Sequence, residues 1–218
     1  MDLYEVMRTT FACREFTGDP VPGEVLQRII DNARFAPSGG NRQGWRIIQV
    51  QDRAKREALA DLSLPCATRY LLEMQAGDSP LNTIHPSAVS DDDVLAAEPP
   101  NWLVAHIRNA PTVLVVTVDM ALVASMDKDL DRVGVISGGS IYPLAWNILL
   151  AARNEGYGGT MTTWGVAKEP EIQALLDIPP TWAVATIMPL GKPVKQLTKL
   201  KRKPVAEILF QDSWNGQA

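Results

Sequence analysis

Between Ala36 and Trp45 the chain reads Ala-Pro-Ser-Gly-Gly-Asn-Arg-Gln-Gly-Trp, a polar, glycine-bearing turn closed by a large aromatic. Glycine allows the backbone to approach a ligand closely. Ser38, Asn41 and Gln43 offer hydroxyl and amide groups that both donate and accept hydrogen bonds. Such a turn suits a flat heteroaromatic cofactor better than a packed core. Cations that could meet a phosphate are Arg14 and the run Lys201-Arg202-Lys203, since a guanidinium can make paired, charge-assisted bonds to phosphate oxygens. The basic run also reads as a solvated face, the usual fate of clustered charge. Chemistry by side chains alone is poorly supplied. Two histidines, His85 and His106, and two cysteines, Cys13 and Cys66, are too few for a disulfide framework or a self-contained metal site. The expectation is a reaction carried by a cofactor, with no catalytic side chain and no metal.

The elements that would position these groups follow from pattern. A short helix spans Leu3 to about Arg8. A second runs from Pro22 to about Phe35, with Val25, Leu26, Ile29, Ile30 and Ala33 on one face, and delivers the chain to the polar turn. The turn leaves through a strand at 46–51, followed by a charged helix from Arg53 to Leu62. Residues 65–101 are polar and proline-interrupted. They read as a possible lid carrying Tyr70, His85 and Trp102, with a capping box at Ser90-Asp91-Asp92-Asp93. Thr112–Val118 is the clearest strand, rich in β-branched residues. A long helix is expected from Val135 to Asn154, apolar on nearly all sides and stopped by Gly156. A helix at Glu169–Leu176, a strand at Ala183–Leu190 and an apolar-studded arm at 194–218 complete the chain.

Composition bounds the rest. The 218 residues suit one domain, and 46% hydrophobic with 21% charged residues describes an ordinary globular protein. A net charge of −4 gives no general attraction to nucleic acid or anionic membranes. No apolar run is long enough to span a bilayer, and the expected compartment is the cytoplasm, with both thiols reduced.

The 36–45 segment resembles the flavin-contacting loop of the nitroreductase family, roughly A-P-S-x-x-N-x-Q-P-W, with Gly44 in place of the common proline. Arg8 to Phe16 is similar to the family's opening motif, R-R-S-x-R-R-F, although Thr10, Phe11 and Ala12 stand where arginine and serine are usual. Asn147 and the Gly156-Tyr157-Gly158-Gly159 loop resemble its central helix and loop, with Trp146 replacing a glutamine. Lys201 to Glu207 resembles its closing basic motif. The resemblance implies an α+β, three-layer α-β-α fold with a mainly antiparallel sheet and a homodimer with sites at the interface. It also implies FMN as cofactor, with NAD(P)H delivering hydride and a small electron-poor acceptor taking it. Carried over by position, the cofactor-binding residues are Arg14, Pro37, Ser38, Gly39, Asn41, Gln43, Tyr157, Gly158, Gly159, Arg202 and Lys203. Trp102 and Tyr142 are assigned to the substrate side. Relatives that act as oxidases, dehalogenases, flavin-cleaving enzymes or non-catalytic FMN-binding proteins keep those alternatives open.

Overall fold

The computed structural model describes residues 1–216. In chain order it contains α1 (Leu3–Thr9), α2 (Gly23–Ala33), β1 (Trp45–Val50), α3 (Arg53–Gln75), α4 (Asp91–Ala96) and α5 (Asn101–Asn109). These are followed by β2 (Thr112–Asp119), α6 (Tyr142–Asn154), β3 (Gly158–Gly159), α7 (Glu169–Leu176) and β4 (Trp182–Gly191). Local chemistry sets several starts. The carboxylates of Asp2 and Asp52 accept the amides of Glu5 and Lys55, satisfying first-turn donors of α1 and α3. Ser90 and Asp93 form a reciprocal capping box at α4.

The sheet order is β1-β2-β4-β3, with every pairing antiparallel. On β2, Leu114, Val116 and Val118 pack against α2 and α6, whereas Val113 and Val115 pack against α3, α5 and α7. That alternation makes a sheet buried on both faces, and the result is the expected three-layer α+β architecture. Strand β4 breaks the alternation. Its register with β2 shifts between Val116↔Thr186 and Thr117↔Val184, leaving Ala185 without a partner. Beyond this bulge, Ile187 faces the layer that holds Val184, a reversal that a regular two-residue period would not give. Residues 12–17 add to the β3–β4 edge. The Cys13 amide donates to the Gly159 carbonyl (2.9 Å), and the Val194 amide donates to Glu15 (3.1 Å).

Two expectations need correction. Helix α3 does not end near Leu62 but continues through Pro65 to Gln75. Proline there removes the bond to the Asp61 carbonyl, but both residues are exposed, so water can serve that oxygen. Hence Tyr70 belongs to α3 and Trp102 to α5, and of the three supposed lid residues only His85 lies on irregular chain. The segment between α3 and α4 is tied down: Arg69 donates to the Val89 carbonyl and pairs with Asp91, while Glu73 accepts the Leu81 amide. The second correction is at 135–154. The α-helix begins only at Tyr142, after a 3₁₀ segment, Ile136–Ser140. Gly138 and Gly139 weaken an α-helix there, while Pro143 fits its first turn.

Candidate functional site

The turn before β1 is held in an unusual backbone conformation. Gly40, Asn41 and Gln43 all have positive φ, at 60°, 54° and 49°. For Gln43 this left-handed geometry costs about 1–2 kcal/mol. It is fixed by the Gln43 amide donating to Ser38 Oγ (2.9 Å) and by Gln43 Nε2 donating to Asn41 Oδ1 (3.2 Å). The Gly39 amide donates to Ser140 Oγ (3.2 Å), which anchors the turn to the segment preceding α6. Pro37, Ser38, Gly39, Asn41 and Gln43 therefore form one polar corner, with Tyr142 close by, 43% exposed and donating to the Ala185 carbonyl. Gly44 is explained by packing, since a Cβ there would lie 2.8 Å from the Leu122 side chain. Trp45 packs against the α2–α6 core.

Arg14, Gly158 and Gly159 lie at a different corner. The glycines are required by the close approach of β3 to its neighbours. A Cβ on Gly159 would collide with Leu190 and the Pro189 carbonyl, and one on Gly158 would press on Pro193 and Cys13. Tyr157 packs into the α2–α6 core. Arg14 makes only a 3.4 Å bond to the Ala12 carbonyl. It lines a crevice of about 590 Å³ with Trp102, His106 and Asn109 of α5 and with Val194. That volume falls in the range of small-molecule sites. Trp102 is 67% exposed at its rim. Arg202 donates to the carbonyl of its neighbour Lys201, and both Arg202 and Lys203 stand exposed on the arm. Cys13, behind Gly158, is buried, and burial pushes its thiol pKa up, which disfavours the reactive thiolate.

Sequence reasoning did not single out His106. It is 4% exposed; both ring nitrogens are shut off from solvent, and among the described residues the Leu103 backbone is their one polar neighbour, short of full hydrogen-bond geometry. Burial, and then the Arg14 charge, lower its pKa from 6.5 to about 4, partly offset by the Leu103 backbone. It is a neutral imidazole at pH 7, edge-on to Trp164, which in turn stacks near Tyr70. Leaving buried polar groups unpaired costs about 1–3 kcal/mol each. A lone histidine on a short helix gives no sequence signal of this; only the fold reveals it.

Register measures the gap between the two corners. Trp45 faces Val118, whereas Gly159 faces Leu190, which faces Thr112. They are therefore separated by ~20 Å along the strands and ~14 Å across the sheet. Helix α6 gives a second ruler. Ser140, just before it, bonds Gly39, and Arg153 near its end donates to Thr9 Oγ1 (2.9 Å), within the Arg8–Phe16 segment. Its 13 residues span ~20 Å. Within one chain, the residues assigned to one cofactor are thus divided between diagonally opposite corners. Among the described residues, no group of three or more His, Cys, Asp or Glu side chains is placed to hold a metal. Among the same residues, no helix is long and apolar enough to cross a membrane.

A three-layer α-β-α fold with an antiparallel sheet, a strained polar turn before β1 and a crevice beyond β3 lined by Arg14 and Glu15 defines a nitroreductase-type architecture. The sequence profile described as the Nitroreductase family matches residues 7–192, and the chain belongs to that family. Human iodotyrosine deiodinase 1 is 25% identical over 211 residues, covering 95% of this chain and 68% of that protein. The structure of an NADPH:FMN oxidoreductase from Vibrio harveyi complexed with NAD⁺ matches with a TM-score of 0.69 and 21% identity, covering 99% of this chain and 79% of that one. An iodotyrosine deiodinase bound to FMN and 3-iodo-L-tyrosine matches with a TM-score of 0.70 and 20% identity, covering 98% and 100%.

Proposed function

We propose that this protein is an FMN-dependent oxidoreductase. It takes hydride from NAD(P)H and reduces a small electron-poor acceptor, such as a nitroaromatic, quinone or activated alkene, by a ping-pong mechanism. The observation that carries the reading is the pair of half-sites at opposite corners, each matching one half of the family's cofactor motif. A two-fold homodimer sets the polar turn of one chain beside the Arg14 crevice of the other. Exposed apolar side chains on α1 (Leu3, Tyr4, Met7), on α6 (Trp146) and on the arm (Ile208, Leu209, Phe210) offer the surface such a dimer would bury.

The residues present suit a flavin. Among the described residues Arg14 forms no ion pair, although Glu15 lines the same crevice; the crevice has room, and Asn41 and Gln43 present amides on a turn fixed before any ligand arrives. Arg202 and Lys203 are free to meet a phosphate, which matters because Thr10, Phe11 and Ala12 bring no charge and the Thr10 hydroxyl is already committed to the Val6 carbonyl. A bound flavin would supply the hydride transfer; the protein's part is to orient the ring, admit nicotinamide and acceptor in turn, and place positive charge nearby. Trp102 and Tyr142 are the substrate-side aromatics in this scheme. Two unpaired cysteines fit a reducing compartment such as the cytoplasm.

The match to deiodinases favours a second reading, reductive dehalogenation. One feature weighs against an amino-acid substrate held by the segment over α3. From Tyr70 to Ile107 the chain carries Glu73, Asp78, Asp91, Asp92, Asp93 and Glu98 but no lysine or arginine to receive a carboxylate. The test is an anaerobic visible spectrum of the FMN-reconstituted protein. Bleaching by NADH or NADPH, followed by reoxidation with a nitroaromatic or quinone, is expected. A flavin band that neither nucleotide bleaches, but whose dithionite-reduced form is reoxidised by a halotyrosine, would replace the reductase reading with the dehalogenase one.

A further inference from the structure

We propose that Asp127 is a positioning residue for the cofactor: its buried carboxylate closes residues 119–140 into a clasp that holds the polar turn at 38–44 in its strained shape. The inference rests on the flavin reading above and gives a role to a residue that none of the sequence motifs includes.

The segment grips the turn at both ends. At its start, the Asp119 amide donates to the Gly44 carbonyl (2.7 Å), and Leu122 packs where a Gly44 side chain would sit. At its end, Ser140 Oγ accepts the Gly39 amide (3.2 Å). Between Met120 and Ser140 only Asp127 and Ser140 are buried, and both are polar. Val123, half-buried, packs against the α2–α6 core, but the rest of the segment has no apolar anchor to fix its path.

Asp127 supplies what packing does not. Its Oδ2 accepts the amides of Val135 (2.7 Å) and Ile136 (3.3 Å) and pairs with Arg132 (2.8 Å), while Oδ1 accepts the Ser125 hydroxyl (3.2 Å). The other backbone bonds described between 123 and 135 close only local turns, such as Lys128 to Ser125 and Leu130 to Asp127. The carboxylate is thus what joins the first half of the segment to the second. Bonds to a charged acceptor are about twice as strong as neutral ones. From Ile136 a single 3₁₀ segment leads to Ser140, and so to Gly39.

The turn needs that support. Asn41 and Gln43 are held in the left-handed region, and such strain persists only where the surroundings over-determine it. If the clasp opens, the turn relaxes. Flavin affinity then falls by the fraction of chains that keep the competent shape.

The experiment compares wild type, Asp127→Ala, Asp127→Asn and a control, Glu73→Ala. Each is read by amide hydrogen exchange over residues 38–44 in the apo protein, by fluorescence titration with FMN, and by thermal unfolding. Glu73 is a second buried carboxylate that fastens a different loop, accepting the Leu81 amide and pairing with Arg69. Asp127→Ala should exchange faster at 38–44 and bind FMN about tenfold more weakly. Asp127→Asn, which can still accept both amides, should recover most of the affinity. Glu73→Ala should lose stability while exchange at 38–44 and FMN affinity stay as in wild type. Unchanged exchange or unchanged affinity in folded Asp127→Ala overturns the proposal. So does an equal loss in Glu73→Ala, which would mark general destabilisation. Should Asp127→Ala fail to fold, Arg132→Ala decides: it removes the ion pair alone, and must speed exchange at 38–44 and weaken FMN about threefold. Failure of wild type to bind FMN, with the exchange pattern as expected, would instead sink the flavin reading and leave the clasp itself standing.

Discussion

His106 has a folded-state pKa of about 4 against 6.5 for the free side chain. In the unfolded chain it takes up a proton as pH falls through 6.5, whereas the folded protein resists until about 4. Stability should therefore decline between those values and level off below, by about 3 kcal/mol. Asp127 acts in a lower window. Its buried carboxylate accepts the Val135 and Ile136 amides and pairs with Arg132, which holds its pKa well below 3.8. Its contribution is present above 3.8 and is lost only as pH falls beneath that value. Urea midpoints at pH 7.5 and 4.5 thus isolate the histidine: wild type should lose more stability across this interval than His106→Leu, and equal losses would clear His106 of the effect. At Gln43 the conflict is between backbone strain and side-chain use. Gln43→Gly should stabilise the apo fold by about 1 kcal/mol while weakening FMN binding. A variant that gains neither stability nor a binding defect would mean that the left-handed turn serves nothing.

Among elements, those with a clear period and a cap were legible in the sequence. α1, α2, β1, β2, α7 and β4 lie within a residue or two of where pattern puts them, and the Ser90 capping box forms as its spacing implies. What the sequence hid were competitions between local rules and packing. Pro65 should end a helix, yet α3 runs on because Leu59, Ala60, Ser63, Ala67 and Thr68 bury one continuous face on either side of it. Removing the penalty should show: Pro65→Ala is expected to raise stability by about 1–3 kcal/mol, read as a higher urea midpoint at constant slope. A lower midpoint would mean that α3 needs the break in its bond ladder. The apolar positions from Ile141 onward suggested a helix reaching back to Val135, but the glycine pair left only a 3₁₀ segment at 136–140. The two groups of residues proposed to hold the cofactor stood out as motifs, but their separation did not. Distance across a sheet depends on strand order, and the sequence does not state that β3, formed by Gly158–Gly159, lies beyond β4 rather than beside β1.

At the scale of the molecule, the proposed homodimer can be tested directly. The 23.9 kDa chain should sediment as a dimer of about twice that mass. Complementation gives a sharper test. An Arg14→Ala chain and a Ser38→Ala, Gln43→Ala chain should each bind FMN poorly. Refolded together they should regain about a quarter of the wild-type sites, because each mixed dimer pairs one intact crevice with one intact turn. No recovery would place both halves of each site in one chain. In the proposed dimer the diagonal layout would also have a genetic consequence. A chain damaged at one corner and paired with wild type leaves one working site, so the lesion behaves as recessive. A chain damaged at both corners spoils both sites of every mixed dimer, and with equal expression it would leave only about a quarter of the activity. In that dimer, the distance from Gly39 to Thr9 along α6 would set which alleles are dominant.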